Sequence, residues 1–129
     1  VKILIVDDQK HARHSIRALL STLLPAFEFS EAENGEQAIW LIEKDQPDIV
    51  VMDVRMPVID GITATRVIKS RWPGIKIVLM SMYGDQQVEA RQAGADAYLT
   101  KVEPPEVLLS TLDRLLFARE NQDKANGGG

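Results

Sequence analysis

Residues Asp48 to Gly61 read DIVVMDVRMPVIDG. Four consecutive apolar residues, Ile49 to Met52, suit a strand buried on both faces, yet the run leads straight into a carboxylate, Asp53. Met56-Pro57 comes next, and a proline has no N–H to give a central sheet ladder. Asp60-Gly61 is a turn signal, with Asp60 placed to cap a following helix. An acid at the end of the most hydrophobic strand needs a reason.

The arrangement recurs on both sides of this stretch. KILIV, Lys2 to Val6, is an aliphatic run ending at Asp7-Asp8, and IKIVLM, Ile75 to Met80, delivers Ser81. DAYLTK, Asp96 to Lys101, is a short strand ending in Lys101, and another short strand is expected over Glu28 to Ala32. Helical periodicity separates them. Ile16, Leu19, Leu20, Leu23 and Leu24 recur at helical spacing until Pro25, Ala38 to Ile42 follow Asn34-Gly35, and Ile62, Val67 and Ile68 follow Asp60. Gly84 to Ala95 carries one sizeable aliphatic residue, Val88, so its helix is expected to be weakly anchored. Pro104-Pro105 opens a last helix with Leu108, Leu112, Leu115 and Leu116 on one face. Strand and helix alternate five times, which predicts an α/β fold with a parallel sheet covered on both faces.

The 129 residues, 45% hydrophobic and 26% charged, bound a single domain with a proper core. A net charge of −4 offers no basic patch for nucleic acid, and the lack of cysteine excludes disulfides and thiolate chemistry. No apolar run approaches the ~18 residues a membrane span needs, so the expected compartment is the cytoplasm. Beginning at Val1, the chain reads as a processed product or a piece of a longer protein.

In a parallel sheet the carboxyl ends of all strands share one edge, where open α/β sheets bind ligands. Asp7-Asp8, Asp53, Ser81 and Lys101 are therefore expected to converge there. At ~4 Å and an effective dielectric of about 20, each pair of carboxylates repels by about 4 kcal/mol, more than one lysine offsets. Either one acid keeps a proton or a multivalent cation is bound. Oxygen-only donors favour a hard ion such as Mg²⁺. A cation beside a lysine and a hydroxyl suits phosphoryl transfer, and a carboxylate nucleophile would form an acyl phosphate.

Taken together, Asp7-Asp8, MDVRMPVIDG around Asp53, LMSM around Ser81 and GADAYLTK ending in Lys101 resemble the response-regulator receiver domain of two-component signalling, over about Lys2 to Leu116. The resemblance implies a flavodoxin-like, doubly wound, five-stranded parallel sheet in the order 2-1-3-4-5, flanked by five helices. The receiver would occupy residues 1–118, with 119–129 as a linker or appended tail. It implies that Asp53 accepts phosphate from a sensor histidine kinase, with Mg²⁺ held by Asp8 and Asp53, by Asp7 through water, and by the backbone carbonyl of Arg55. Lys101 would pair with the phosphoryl group and the Ser81 hydroxyl would bind a phosphoryl oxygen. Tyr98 matches the family's switch aromatic, which turns inward as Ser81 shifts. The fourth helix, fifth strand and last helix would then form the partner face, for an output domain or a second copy in a homodimer. Such a domain catalyses only its own phosphorylation and dephosphorylation.

Two positions depart from the family pattern. Met82 and Tyr83 are bulky where a small residue usually follows the switch hydroxyl, and are expected to restrict small donors and hydrolytic water. Lys101 is followed by Val102 rather than proline; a cis bond there would cost about 2.5 to 4 kcal/mol, which favours a trans loop and a shifted Lys101. The SMY (81–83) and K-x-x-P (101–104) variants resemble receivers followed by a LuxR-type helix-turn-helix domain, implying transcriptional control through a domain outside this chain.

Two other functions compete. One is a receiver-like interaction module that takes no phosphate, which Met82 and Val102 keep open. The other is a Mg²⁺-dependent aspartyl-phosphate phosphatase of the haloacid-dehalogenase type, but VDDQK lacks that class's Asp-x-Asp on the first strand and no cap insertion is present. Plainer roles also exist for single residues: Asp7 and Asp8 as caps of the first helix, Ser81 and Lys101 as ordinary surface groups. His11 and His14 are expected as exposed helix residues, and Trp40, Trp72, Met52 and Met80 as packing residues.

Overall fold

The computed structural model describes the backbone of residues 1–127 and the side chains of residues 1–117. The aliphatic runs form the strands β1 (Lys2–Val6), β2 (Glu28–Ala32), β3 (Ile49–Asp53), β4 (Lys76–Ser81) and β5 (Ala97–Thr100). They alternate with α1 (Lys10–Leu23), α2 (Gly35–Lys44), α3 (Gly61–Arg71), α4 (Gln87–Ala93) and α5 (Pro105–Gly127). All strands pair in parallel in the order β2-β1-β3-β4-β5, as expected.

Side chains of a strand alternate between the two faces, and the core divides accordingly. Leu4, Val6, Val50, Met52, Ile77 and Leu79 pack with α2, α3 and α4 through Ala38, Ile42, Ile62, Ile68, Ala90 and Ala93. Ile3, Ile5, Ile49, Val51 and Val78 pack on the opposite face with Leu20 of α1 and Leu108 and Leu112 of α5. Both faces being covered explains why β1, β3 and β4 are apolar without in-out alternation. The edge strand β2 does alternate, with Glu28 and Ser30 more exposed than Phe29 and Glu31.

Local signals set the helix starts. Asp60 caps α3, its Oδ1 accepting from the Thr63 amide at 2.7 Å. Asn34 caps α2 likewise through the Gln37 amide, while the Gln37 side chain accepts from the Glu33 amide, also at 2.7 Å. The α4 segment is shorter than expected and ends at Gly94, whose φ of 103° suits glycine. Its one large aliphatic residue, Val88, is 65% exposed, and the buried side chains of α4 are only those of Ala90 and Ala93. Trp40 corrects an expectation: it is exposed rather than packed, with the Lys44 ammonium over its ring. The backbone of α5 continues past residue 118 to Gly127, and the side chains of the expected tail lie outside the described residues.

Candidate functional site

The parallel register brings the chemistry-bearing residues to one edge. Val6 is level with Met52, Asp53 with Met80, and Ser81 with Thr100. The ladder extends one residue past the strands. The amides of Asp7, Val54 and Lys101 donate to the carbonyls of Ala32, Met80 and Ser81 at 3.1, 2.9 and 2.7 Å. The loop after β3 then folds back on itself. Gly61 opens α3 with its amide 2.8 Å from the Val54 carbonyl, and a Cβ there would lie 2.3 Å from the Asp53 carbonyl oxygen. Only glycine allows that approach.

Carboxylate oxygens of Asp7, Asp8 and Asp53 all lie within 4.8 Å of one another. The Lys101 ammonium is 3.2 Å from Asp7 and 3.4 Å from Asp53. It reaches both although the Lys101–Val102 bond is trans, as are all described peptide bonds. Asp7 is 2% exposed, Asp53 is mostly buried, and Asp8 faces solvent. Burial pushes the Asp53 carboxyl above its ordinary range; the Lys101 ammonium opposes this, and the Asp7 charge adds to it. The Asp7 carboxylate also accepts from the Gln9 amide at 2.9 Å, so it organises the entry to α1 while facing the pocket.

This donor set fits a hard divalent cation. Three carboxylates against one ammonium leave excess negative charge, the donors are all oxygen, and no histidine joins them among the described residues. Both histidines are exposed on α1, and His14 faces Glu31 at 3.3 Å. Beside the acids, Arg55, Met56, Pro57 and Asp60 line a cleft of about 520 Å³ that also takes in Asp8 and Gln86. The buried Oε1 of Gln86 has no hydrogen-bond partner.

Ser81 is buried, and its hydroxyl oxygen accepts from the Tyr83 amide at 3.2 Å. The half-buried Tyr98 packs on the core and donates its hydroxyl to the Tyr83 carbonyl at 2.5 Å. Met82 and Tyr83 are exposed beside the pocket. Arg55 stacks over the Tyr83 ring at 5.2 Å and faces Asp85 at 3.7 Å, linking the loop after β3 to the loop after β4. Of the residues singled out from the sequence, Asp7, Asp8, Asp53, Arg55, Ser81 and Lys101 stand at this edge and Met82 and Tyr83 follow Ser81 in its loop, while Tyr98 lies within β5, level with Leu79, and meets that loop through its hydroxyl. Sequence reasoning missed Gln86 and the Arg55–Tyr83 stack, because neither a glutamine nor an arginine in a polar loop carries any pattern. It also missed Arg13, whose Nη1 donates to the Asp7 carbonyl at 2.7 Å.

Comparison with known proteins gives the family of the chain. The response regulator receiver domain family model matches residues 3–113. The transcriptional regulatory protein DegU of Brevibacillus brevis is 32% identical over 115 residues, which cover 87% of this chain and 48% of DegU. The chain thus spans about half the length of that relative. The chemotaxis protein CheY of Bacillus subtilis is 37% identical over 118 residues, covering 89% of this chain and 97% of CheY. Among solved structures, a LuxR-family two-component response regulator from Aurantimonas superposes with a TM-score of 0.85 at 32% identity, over 91% of this chain and 85% of that one. The match over nearly the whole chain, on the fold that carries the acid pocket, means that the protein belongs to the response regulator receiver domain family.

Proposed function

We propose that Asp53 takes a phosphoryl group from the histidine of a sensor kinase, and that this modification switches a partner surface. The observation that carries the reading is the convergence of Asp7, Asp8 and Asp53 with Lys101 in one pocket. An Asp53 carboxylate oxygen attacks phosphorus, a P–O bond forms, the P–N bond to the imidazole breaks, and the neutral imidazole leaves with a proton from solvent. Asp8 and Asp53, with Asp7 through water and the Arg55 carbonyl, would hold Mg²⁺, which would supply neutralisation of the charge on the phosphoryl oxygens. Lys101 gives a second positive charge, and Ser81 a hydroxyl donor for a phosphoryl oxygen.

The product adds about −1.5 to −2 of charge and three acceptor oxygens. Ser81 and Lys101 move toward it, and the Ser81–Tyr83 bond is given up. That frees the carbonyl-bound Tyr98 to turn inward and lets the thinly anchored α4 shift. The α4–β5–α5 face then engages an output domain or a second copy. Met82 and Tyr83 screen the pocket and slow both small donors and hydrolytic water. Transcriptional control through a domain outside this chain accords with DegU being a transcriptional regulator.

The test is Mg²⁺ plus beryllofluoride, an acyl-phosphate mimic, followed by two-dimensional NMR. A discrete second set of resonances in α4 and β5, abolished by Asp53→Ala, is expected. No response at saturating mimic would favour a phosphate-independent interaction module, and sustained turnover of phosphate esters would favour a phosphatase.

A further inference from the structure

Arg13 and Glu31 lie behind the acid pocket, outside every motif that marks it. Glu31, on β2, points at Arg13, His14 and Arg17 on α1. Its Oε1 accepts from Arg13 Nε at 2.8 Å and faces His14 Nε2 at 3.3 Å, and its Oε2 accepts from Arg17 Nη1 at 2.7 Å. Arg13 and Glu31 are 12% and 17% exposed, against 44% for Arg17, so the Arg13–Glu31 pair is the sheltered part of the cluster. The second arm of the Arg13 fork leaves the cluster and donates to the Asp7 backbone carbonyl at 2.7 Å.

That carbonyl belongs to the Asp7–Asp8 peptide plane. The other polar atoms of Asp7 are already tied down: its amide to Ala32, Oδ1 to Gln9 and Oδ2 to Lys101. The Asp8 side chain has no hydrogen-bond or ion-pair partner among the described residues. The one described contact that bears on where its side chain sets out is therefore the one that orients the peptide plane before it. Resting on the Mg²⁺ reading above, we infer that Arg13, braced by Glu31, is a positioning residue for the cation site. It sets the Asp7–Asp8 plane and with it the aim of the Asp8 carboxylate.

Charge and geometry make opposite predictions here. A guanidinium near a cation site repels the cation, so if charge alone matters, removing Arg13 tightens Mg²⁺ binding. If the fork positions Asp8, removing it weakens binding. Arg13→Lys separates the two further, because an ammonium keeps the charge but cannot present two divergent donors in a fixed plane. Arg17→Met is the control: it loses a bond to the same Glu31 without touching Asp7.

The experiment is Mg²⁺ titration of the unphosphorylated protein by calorimetry, with urea midpoints measured for each variant. Arg13→Met and Arg13→Lys are both expected to weaken Mg²⁺ by about 10-fold or more, the usual effect of losing a residue that orients a ligand. Arg17→Met should bind as the parent does. Tighter binding by Arg13→Met, parental binding by Arg13→Lys, or an equal loss in Arg17→Met would each overturn the inference. A parent protein that ignores Mg²⁺ would instead remove the acid-site reading, and this inference with it.

Discussion

Val58 sits five residues past Asp53 with a φ of 71°, the one non-glycine residue in the left-handed region among those described. The Ile59 amide donates to the Pro57 carbonyl at 2.9 Å across it, closing a tight three-residue turn. A β-branched side chain in that region is strained by about 1 to 3 kcal/mol, and at 81% exposure it gains little packing in return. Val58→Asn, which keeps the turn but tolerates positive φ, is expected to raise stability by about 1 kcal/mol in urea denaturation. Glu31 carries a pH signature. Burial would raise its pKa, but hydrogen bonds from Arg17 and Arg13 win and hold the carboxyl below its ordinary value. A folded-state pKa below the unfolded one means stability that is complete above the ordinary glutamate range and lost as pH falls through the depressed value. Glu31→Gln should therefore flatten the acid limb of the urea midpoint against pH, with its largest deficit near neutrality.

At the scale of elements, α4 is thinly anchored by its side chains. A helix of seven residues is marginal by propensity alone, and this one buries only Ala90 and Ala93 while Val88 faces solvent. Its neighbour α3 buries Ile62 and Ile68 and carries a side-chain cap. Amide exchange should therefore be faster in α4 than in α3, and equal protection would contradict the packing. The segment after α4 is held from elsewhere. Lys69 of α3 donates to the Ile75 carbonyl and to Asp96, both at 3.0 Å, and Asp96 accepts from the Ile77 amide at 2.8 Å. This clip fixes the start of β5 beside β4 without using any side chain of α4.

The whole molecule joins a stiff sheet to a pocket whose charges do not balance. Three carboxylates face one ammonium, so a divalent cation that binds only the folded state must stabilise it. Mg²⁺ at about 100 times its dissociation constant is expected to add about 2.7 kcal/mol to unfolding stability, and Asp53→Ala should lose most of that increment. The measurement is urea denaturation with Mg²⁺ and with a chelator. The chain covers 97% of CheY and 48% of DegU, so sequence similar to it occurs both nearly alone and beside further sequence.

Much of this was legible in the sequence, for a simple reason. Unbroken aliphatic runs in KILIV, IVVM and IVLM require cover on both faces, and strand-helix alternation then forces a parallel sheet whose carboxyl ends share an edge. Asp7, Asp8, Asp53, Ser81 and Lys101 follow from that topology, since each stands at or just past a strand end. The exposure of Trp40, the Tyr83–Tyr98 tether, the Arg55–Tyr83 stack and the Arg13–Asp7 contact do not follow from it. They depend on where long side chains meet across elements distant in sequence, and such meetings leave no period and no motif. Linear order thus determined which residues reach the pocket, because strand direction is a property of chain topology. Only the folded structure decided how they are aimed, because aim depends on hydrogen bonds between side chains that packing alone brings together.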